Sequence, residues 1–183
     1  MNKLMIVIFF ASVFIFGIFY YKIEVSDNEQ EYGIFSFEQE LTLPGTPDII
    51  YDAATGDISG WWDHSFTESP AHFYIEPRPG GGFYEIFDDS GDGVLHATVI
   101  YAERGKMFRF VGPLGLSGTA IQLVCSYDFN SSGLDSTLLK LSVHASGEME
   151  DGLSEIVENA WHHFLFDRFK PYVESGAHLE NNK

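Results

Sequence analysis

The sequence predicts an α+β domain in which a curved antiparallel sheet wraps one long C-terminal helix. Three observations carry that prediction. A period-two strand is followed at once by a short helical pair; six brief alternating runs come next, separated by glycine-rich turns; and a single segment of helical period closes the pattern. A sheet and a helix that are each apolar on one side bury those sides against one another, which gives a two-layer α+β arrangement.

The elements follow in order. Residues 4–21 carry no charge, after Lys3 and ahead of Lys22 and Glu24. About 20 apolar residues span a bilayer, whereas a secretory signal has an apolar stretch of roughly 7–15 residues before a small-x-small cleavage site. The small residues in the stretch are Ala11, Ser12 and Gly17, and no Ala-x-Ala occurs. Residues 1–22 are therefore read as an N-terminal hydrophobic helix acting as a signal anchor, or as a signal peptide if it is cleaved. Lys3 on the cytoplasmic side places the rest outside. The expected location is extracytoplasmic: periplasmic and anchored to the inner membrane, or soluble or secreted after cleavage. The polar residues 23–33 read as a tether, 34–173 as the domain, and 174–183 as a polar tail; neither tether nor tail is expected to carry fold.

Residues 33–43 alternate as a half-buried strand does. Residues 44–55 open with prolines, which suit a first helical turn, and continue with Ile49, Ile50, Ala53 and Ala54 at helical spacing. A second helical turn ends in Trp61 and Trp62. The alternating runs at 72–77, 82–87, 94–102, 107–111, 119–130 and 137–146 are separated by turns rich in glycine, which supplies positive φ, and in Asp, Asn and Ser, which cap their own turns. Residues 148–173 place Leu153, Ile156, Val157, Ala160, Trp161, Phe164 and Leu165 on one stripe, with Glu155, Glu158, Asn159 and His162 opposite.

The chain has 183 residues, enough for one domain, and its 45% hydrophobic content supports a packed core. A net charge of −17 repels phosphate backbones and excludes nucleic acid as a natural partner. Cys125 is the only cysteine, so no intramolecular disulfide can form, and its place in an alternating apolar run marks it as a buried thiol.

Several words lie along these elements: Pro47-x-x-Ile50-Tyr51-Asp52-Ala53 on the first helix, Trp61-Trp62 after it, and Glu76-Pro-Arg-Pro-Gly-Gly-Gly-Phe83 entering a hairpin. Further on come His96-x-Thr98-Val99-x-Tyr101, Gly105-Lys-Met-Phe-Arg-Phe110 and Gly112-Pro-Leu-Gly115. In this order and spacing they resemble the START-like (SRPBCC) helix-grip superfamily, and within it the bacterial branch similar to the C-terminal domain of heat-shock ATPase activators. The resemblance covers residues 34–173. It implies a cavity between sheet and last helix, usually for a small apolar molecule. Members bind lipids, hormones or pigments, act as cyclases, or bind chaperones, so the fold does not fix the activity. Chaperone activation fits poorly with an exported domain.

Alternation assigns an inward set strand by strand. It comprises Phe73 and Ile75; Leu95, Ala97, Val99 and Tyr101; Phe108 and Phe110; Ile121, Leu123, Cys125, Tyr127 and Phe129; and Leu139, Leu141 and Val143. His96, Thr98, Arg109, Gln122, Asp128, Lys140 and His144 fall outward, while the faces of Glu85 and Arg168 stay open. As neighbours, Trp61 and Trp62 are not expected to point inward together, which leaves one of them at a cavity mouth. The expected ligand contacts are Trp61, Trp62, Phe73, Ile75, Tyr101, Phe108, Phe110, Leu123, Tyr127, Leu141 and Trp161.

This interior offers hydroxyls but no acid–base pair, which favours binding of a small apolar ligand over a cyclase- or hydrolase-type reaction using Glu85 or the tyrosines. An envelope interaction module using the acidic face is the further alternative. No cofactor or metal is expected. His162 and His163 diverge by about 100° on a helix and cannot readily share an ion with His64. Residues 88–93 (DDSGDG) match the first half of a calcium loop, but the position of its closing glutamate falls on Val99, so a hairpin turn is expected there. Asn130-Ser-Ser132 fits a glycosylation pattern of low specificity.

Overall fold

The computed structural model describes residues 31–180 apart from Ala71. The apolar stretch at 4–21 lies outside the described residues, among which no helix is long and apolar enough to cross a membrane. Strand β1 (Tyr32–Pro44) pairs along its whole length with β8 (Ser136–Glu148), from Tyr32 opposite Glu148 to Pro44 opposite Ser136. Helix α1 (Pro47–Ala54) starts on a proline, whose missing N–H is not needed in a first turn, and buries Ile50, Tyr51, Ala53 and Ala54. The remaining strands are β2 (Gly56–Asp57), β3 (His72–Ile75), β4 (Gly82–Ile86), β5 (Gly93–Glu103), β6 (Met107–Gly112) and β7 (Ile121–Gly133). They form one antiparallel sheet in the order β1-β8-β7-β6-β5-β4-β3-β2.

Its inner face is closed by helix α2 (Leu153–His162), which continues through a π-helical stretch (His163–Phe169) into α3 (Lys170–Glu174). Pro171 has a physical part in that widening. It has no N–H for the carbonyl of Asp167 and its ring crowds that carbonyl, so regular α-helical bonding cannot continue across it. Of the predicted stripe, Val157, Trp161, Phe164 and Leu165 are buried, with Phe169 added by the π turn, whereas Ile156 is exposed. The expected α+β helix-grip arrangement is therefore the observed one.

Three details differ from expectation. The turn ending at Trp61-Trp62 is a single hydrogen-bonded one, both indole residues donating their backbone N–H to Ile58 O (3.1 and 2.9 Å), but it does not follow α1 directly: the two-residue β2 lies between and pairs with β3. The tail is also partly folded, since Ala177–Leu179 makes a 3₁₀ turn and buries His178 beside Tyr172.

The third difference is the parity of β5. Phe83 of β4 faces Ala97, but Tyr84 faces Leu95, so His96 is an extra residue in a β-bulge; a second irregularity beside β6 skips Ile100. Each bulge shifts the alternation by one residue. His96, expected outside, is buried, whereas Leu95 and Tyr101, expected inside, face solvent; Tyr101 is 40% exposed and its hydroxyl donates to Glu103 Oε2 at 2.8 Å. Gly112 permits the first bulge, because a Cβ there would lie 2.3 Å from the carbonyl oxygen of His96. On β7 and β8 the alternation holds: Ile121, Leu123, Cys125, Tyr127, Phe129, Leu139, Leu141 and Val143 are all buried. Burial pushes the Cys125 thiol and the Tyr127 phenol upward in pKa, so both stay neutral.

Candidate functional site

Most of the inward aromatic set is packed core. Phe108, Phe110 and Tyr127 lie in mutual ring contact, the latter two also touching Trp161, and Phe73, Ile75 and Leu141 are buried. Packing is incomplete at one end of the helix. There, a cleft of about 430 Å3 lies between α2 with the start of the π-helical stretch, the sheet, the segment from Trp62 to Phe66 and the loop after β6.

Of the residues expected to touch a ligand, Trp62, Leu123 and Trp161 line this cleft. Both tryptophans of the pair are buried, against expectation, each against a different part of the C-terminal helix. Trp61 packs on Phe169 (4.9 Å between ring centres) and donates Nε1–H to Ala53 O, while Trp62 stacks on Phe164 at 3.9 Å. Trp62 is the one of the two that lines the cleft. Phe73, Ile75, Phe108, Phe110, Tyr127 and Leu141 do not line the cleft, and Tyr101 points away from the interior altogether.

The helix supplies Ile156, Val157, Ala160 and Phe164, all members of the predicted stripe. The loop after β6 supplies Pro113, Leu114 and Gly115, inside the Gly112-Pro-Leu-Gly115 word, and Leu116 just past it. Leu114 has φ of 53°, the one positive value at a non-glycine position among the described residues. Such a conformation persists only where surrounding structure holds it. Here it folds a buried leucine side chain into the cleft wall.

The polar part of the wall was hidden from sequence reading. His96 lines the cleft at 3% exposure, and behind it stands Glu85 at 0%. The Glu85 carboxylate accepts Ser65 Oγ–H (2.5 Å) and Phe66 N–H (2.9 Å) on Oε1, and faces His96 Nε2 at 3.0 Å through Oε2. Since a carboxylate only accepts, Nε2 carries the proton. His96 Nδ1 is buried without a hydrogen-bond partner. Glu85 itself does not line the cleft; its bonds tie the Ser65–Phe66 backbone to β4 and β5.

At the rim, His163 Nε2 lies 2.9 Å from Asp63 Oδ2 and its Nδ1 3.3 Å from Asp167 Oδ2, and Arg168 Nε approaches the same Asp63 oxygen at 3.1 Å. The hydrogen bond to Asp63, with the charges of both carboxylates, holds the His163 pKa above its ordinary value against desolvation. His64 stacks against His163 with ring centres 5.7 Å apart. Ligand-type atoms of Asp63, His64 and His163 all lie within 4.8 Å of one another, a convergence the sequence reading did not anticipate; His162 turns away onto Phe166.

The calcium-like segment is a turn closed on itself. Asp88 Oδ1 accepts the Ser90 N–H, Ser90 Oγ accepts the Asp92 N–H, and the serine's bonds lower the Asp88 pKa. Those oxygens cap backbone rather than converge on an ion.

No protein-family model matches the chain, and no curated protein matches it in sequence. Solved structures do match in fold. An uncharacterised protein from Rhizobium leguminosarum aligns at TM-score 0.58 and 10% identity, over 80% of this chain and 98% of that one. Ara h 8.0201 aligns at TM-score 0.55 and 18% identity, over 78% and 99%. Aha1 from Colwellia psychrerythraea aligns at TM-score 0.50 and 17% identity, over 76% and 96%. At these identities the likeness is one of architecture, and it agrees with the sheet order and the gripped helix: the chain has the START-like helix-grip fold.

Proposed function

We propose that the domain binds a small apolar molecule in the cleft between sheet and C-terminal helix. The carrying observation is the cleft itself: about 430 Å3, walled by Trp62, Leu123, Val157, Trp161 and Phe164, within the size range of small-molecule sites. Its apolar walls favour a ligand that gives up little hydration on entry. The START-like resemblance of residues 34–173 implies a cavity of this kind between sheet and last helix, which supports the reading. The cyclase- or hydrolase-type alternative gains little, because Glu85 and Tyr127 do not line the cleft and Tyr101 faces solvent.

Titration with the uncharged dye phenylnaphthylamine, followed by its fluorescence, is expected to saturate at one dye per chain. Native mass spectrometry and organic extraction of the purified protein are expected to recover an apolar small molecule. Absence of both saturation and extractable ligand would sink the proposal.

The second part of the proposal is that residues 1–22 export the domain and hold it at the membrane. The support is the uncharged stretch 4–21 behind Lys3. Expressed in a bacterium, the chain is expected in the membrane fraction, with its domain open to added protease in spheroplasts and its intact mass retaining Met1. A protected, cytosolic product would overturn the assignment.

A further inference from the structure

We propose that Asp63, His64 and His163 form a binding site for a divalent transition-metal ion of the zinc type at the rim of the cleft. Two segments far apart in sequence bring the three together: the loop after Trp62 supplies the first two, and the π-helical stretch supplies the third. Bonds of roughly 2.0–2.2 Å from zinc to nitrogen or oxygen place tetrahedral ligand atoms about 3.4 Å apart. His163 Nε2 stands 2.9 and 3.1 Å from the two Asp63 oxygens, and no pair in the set exceeds 4.8 Å. Rotation of the exposed His64 ring is the movement needed to close the set.

The partners around the three have the arrangement of an outer shell. A metal-binding imidazole normally gives its other N–H to a carboxylate, which fixes the tautomer and orients the ring. Asp167, one turn along the helix, lies 3.3 Å from His163 Nδ1 and leaves Nε2 to face Asp63. Metal-binding carboxylates are themselves hydrogen-bonded, and Arg168 Nε holds Asp63 Oδ2 at 3.1 Å, leaving Oδ1 free to bond an ion in place of its present contact with His163. The overall charge of −17 favours a cation. Three protein ligands leave one position for water or for a donor atom of a molecule in the cleft, which His64 also lines.

The test is calorimetric titration of the untagged, chelator-treated full chain with Zn2+, with Co2+ as an absorption probe. The expected result is one ion per chain, with intense visible bands for Co2+ in tetrahedral surroundings. His64→Ala is expected to weaken binding by about 100-fold and to remove the bands, and Asp167→Asn to weaken it by roughly 10-fold or more through the outer shell. His162→Ala, on the neighbouring but outward histidine, is expected to leave binding unchanged. Because Asp63 also anchors Arg168, its substitution can unseat the loop, so His64→Ala carries the test. Absence of saturable binding in the unaltered protein, or equal losses in His64→Ala and His162→Ala, would overturn the site.

Discussion

Replacing Glu85 with alanine is expected to destabilise the domain by about 2–5 kcal/mol: a buried imidazole N–H left without its acceptor costs roughly 1–3 kcal/mol, and the two further hydrogen bonds lost cost about 0.5–1.5 kcal/mol each. Glu85 is fully buried, and its two oxygens meet three donors: the Ser65 hydroxyl, the Phe66 N–H and His96 Nε2. The hydroxyl and the amide belong to the exposed Ser65–Phe66 segment and can turn to water, but the imidazole is buried and would keep its Nε2–H without an acceptor. For a chain of this size the loss corresponds to a fall in Tm on the order of 10 °C, read by calorimetry. Glu85→Gln is expected to cost less. Its amide oxygen can still accept from Ser65 and Phe66, and its NH2 can donate to His96 Nε2 if the imidazole proton moves to Nδ1. Coupling also distinguishes a true pair from two independent core residues. Glu85→Leu combined with His96→Phe is expected to lose less than the sum of the single changes, because removing both members leaves no stranded imidazole N–H. A fall below about 1 kcal/mol for Glu85→Ala would show that the carboxylate is not the tie between the Ser65–Phe66 segment and the sheet.

That tie also marks where the sequence stopped being informative. The sheet was legible because its turns are written in glycine, aspartate and serine and because β7 and β8 alternate without interruption from Ile121 to Phe129 and from Thr137 to Ala145. In β5 the run from Val94 to Ala102 carries apolar residues at both parities, so two bulges could shift the pattern without a visible change in composition. His96 and Tyr101 exchanged faces for that reason, and with His96 went the polar part of the cleft wall. The trace that existed was Gly112, whose lack of a Cβ is required by the bulged His96 carbonyl, but a glycine before a proline reads equally well as an ordinary turn. The rim cluster was hidden for another reason. Asp63 and His163 lie 100 residues apart, and only the packing of the helix on the Trp62 segment makes them neighbours. The helix stripe, by contrast, placed Val157, Trp161, Phe164 and Leu165 inward, where they are buried, although Ile156 on the same stripe is exposed.

Ala160 therefore offers the sharpest means of separating cleft from core. Its methyl group lies on the cleft-facing side of α2, where adjacent space is empty rather than occupied by another side chain. Ala160→Trp is expected to place an indole in that space and to weaken phenylnaphthylamine binding by about 100-fold, a change of roughly 2.7 kcal/mol. Stability should move by less than about 1 kcal/mol, because overpacking is costly only where the surroundings are already close-packed. A contrast is available on the opposite layer. Leu141→Trp inserts the same side chain at a position with no exposure and no neighbouring cleft, and there the strain is expected to reach about 1–3 kcal/mol or more while the cleft stays open. The two variants should thus show opposite patterns, one losing ligand and keeping stability, the other losing stability and, while folded, keeping ligand. If Ala160→Trp leaves dye binding unchanged, the dye sits elsewhere and the cleft is not the binding site; if it unfolds the domain, the empty volume beside the helix is not space a side chain can enter.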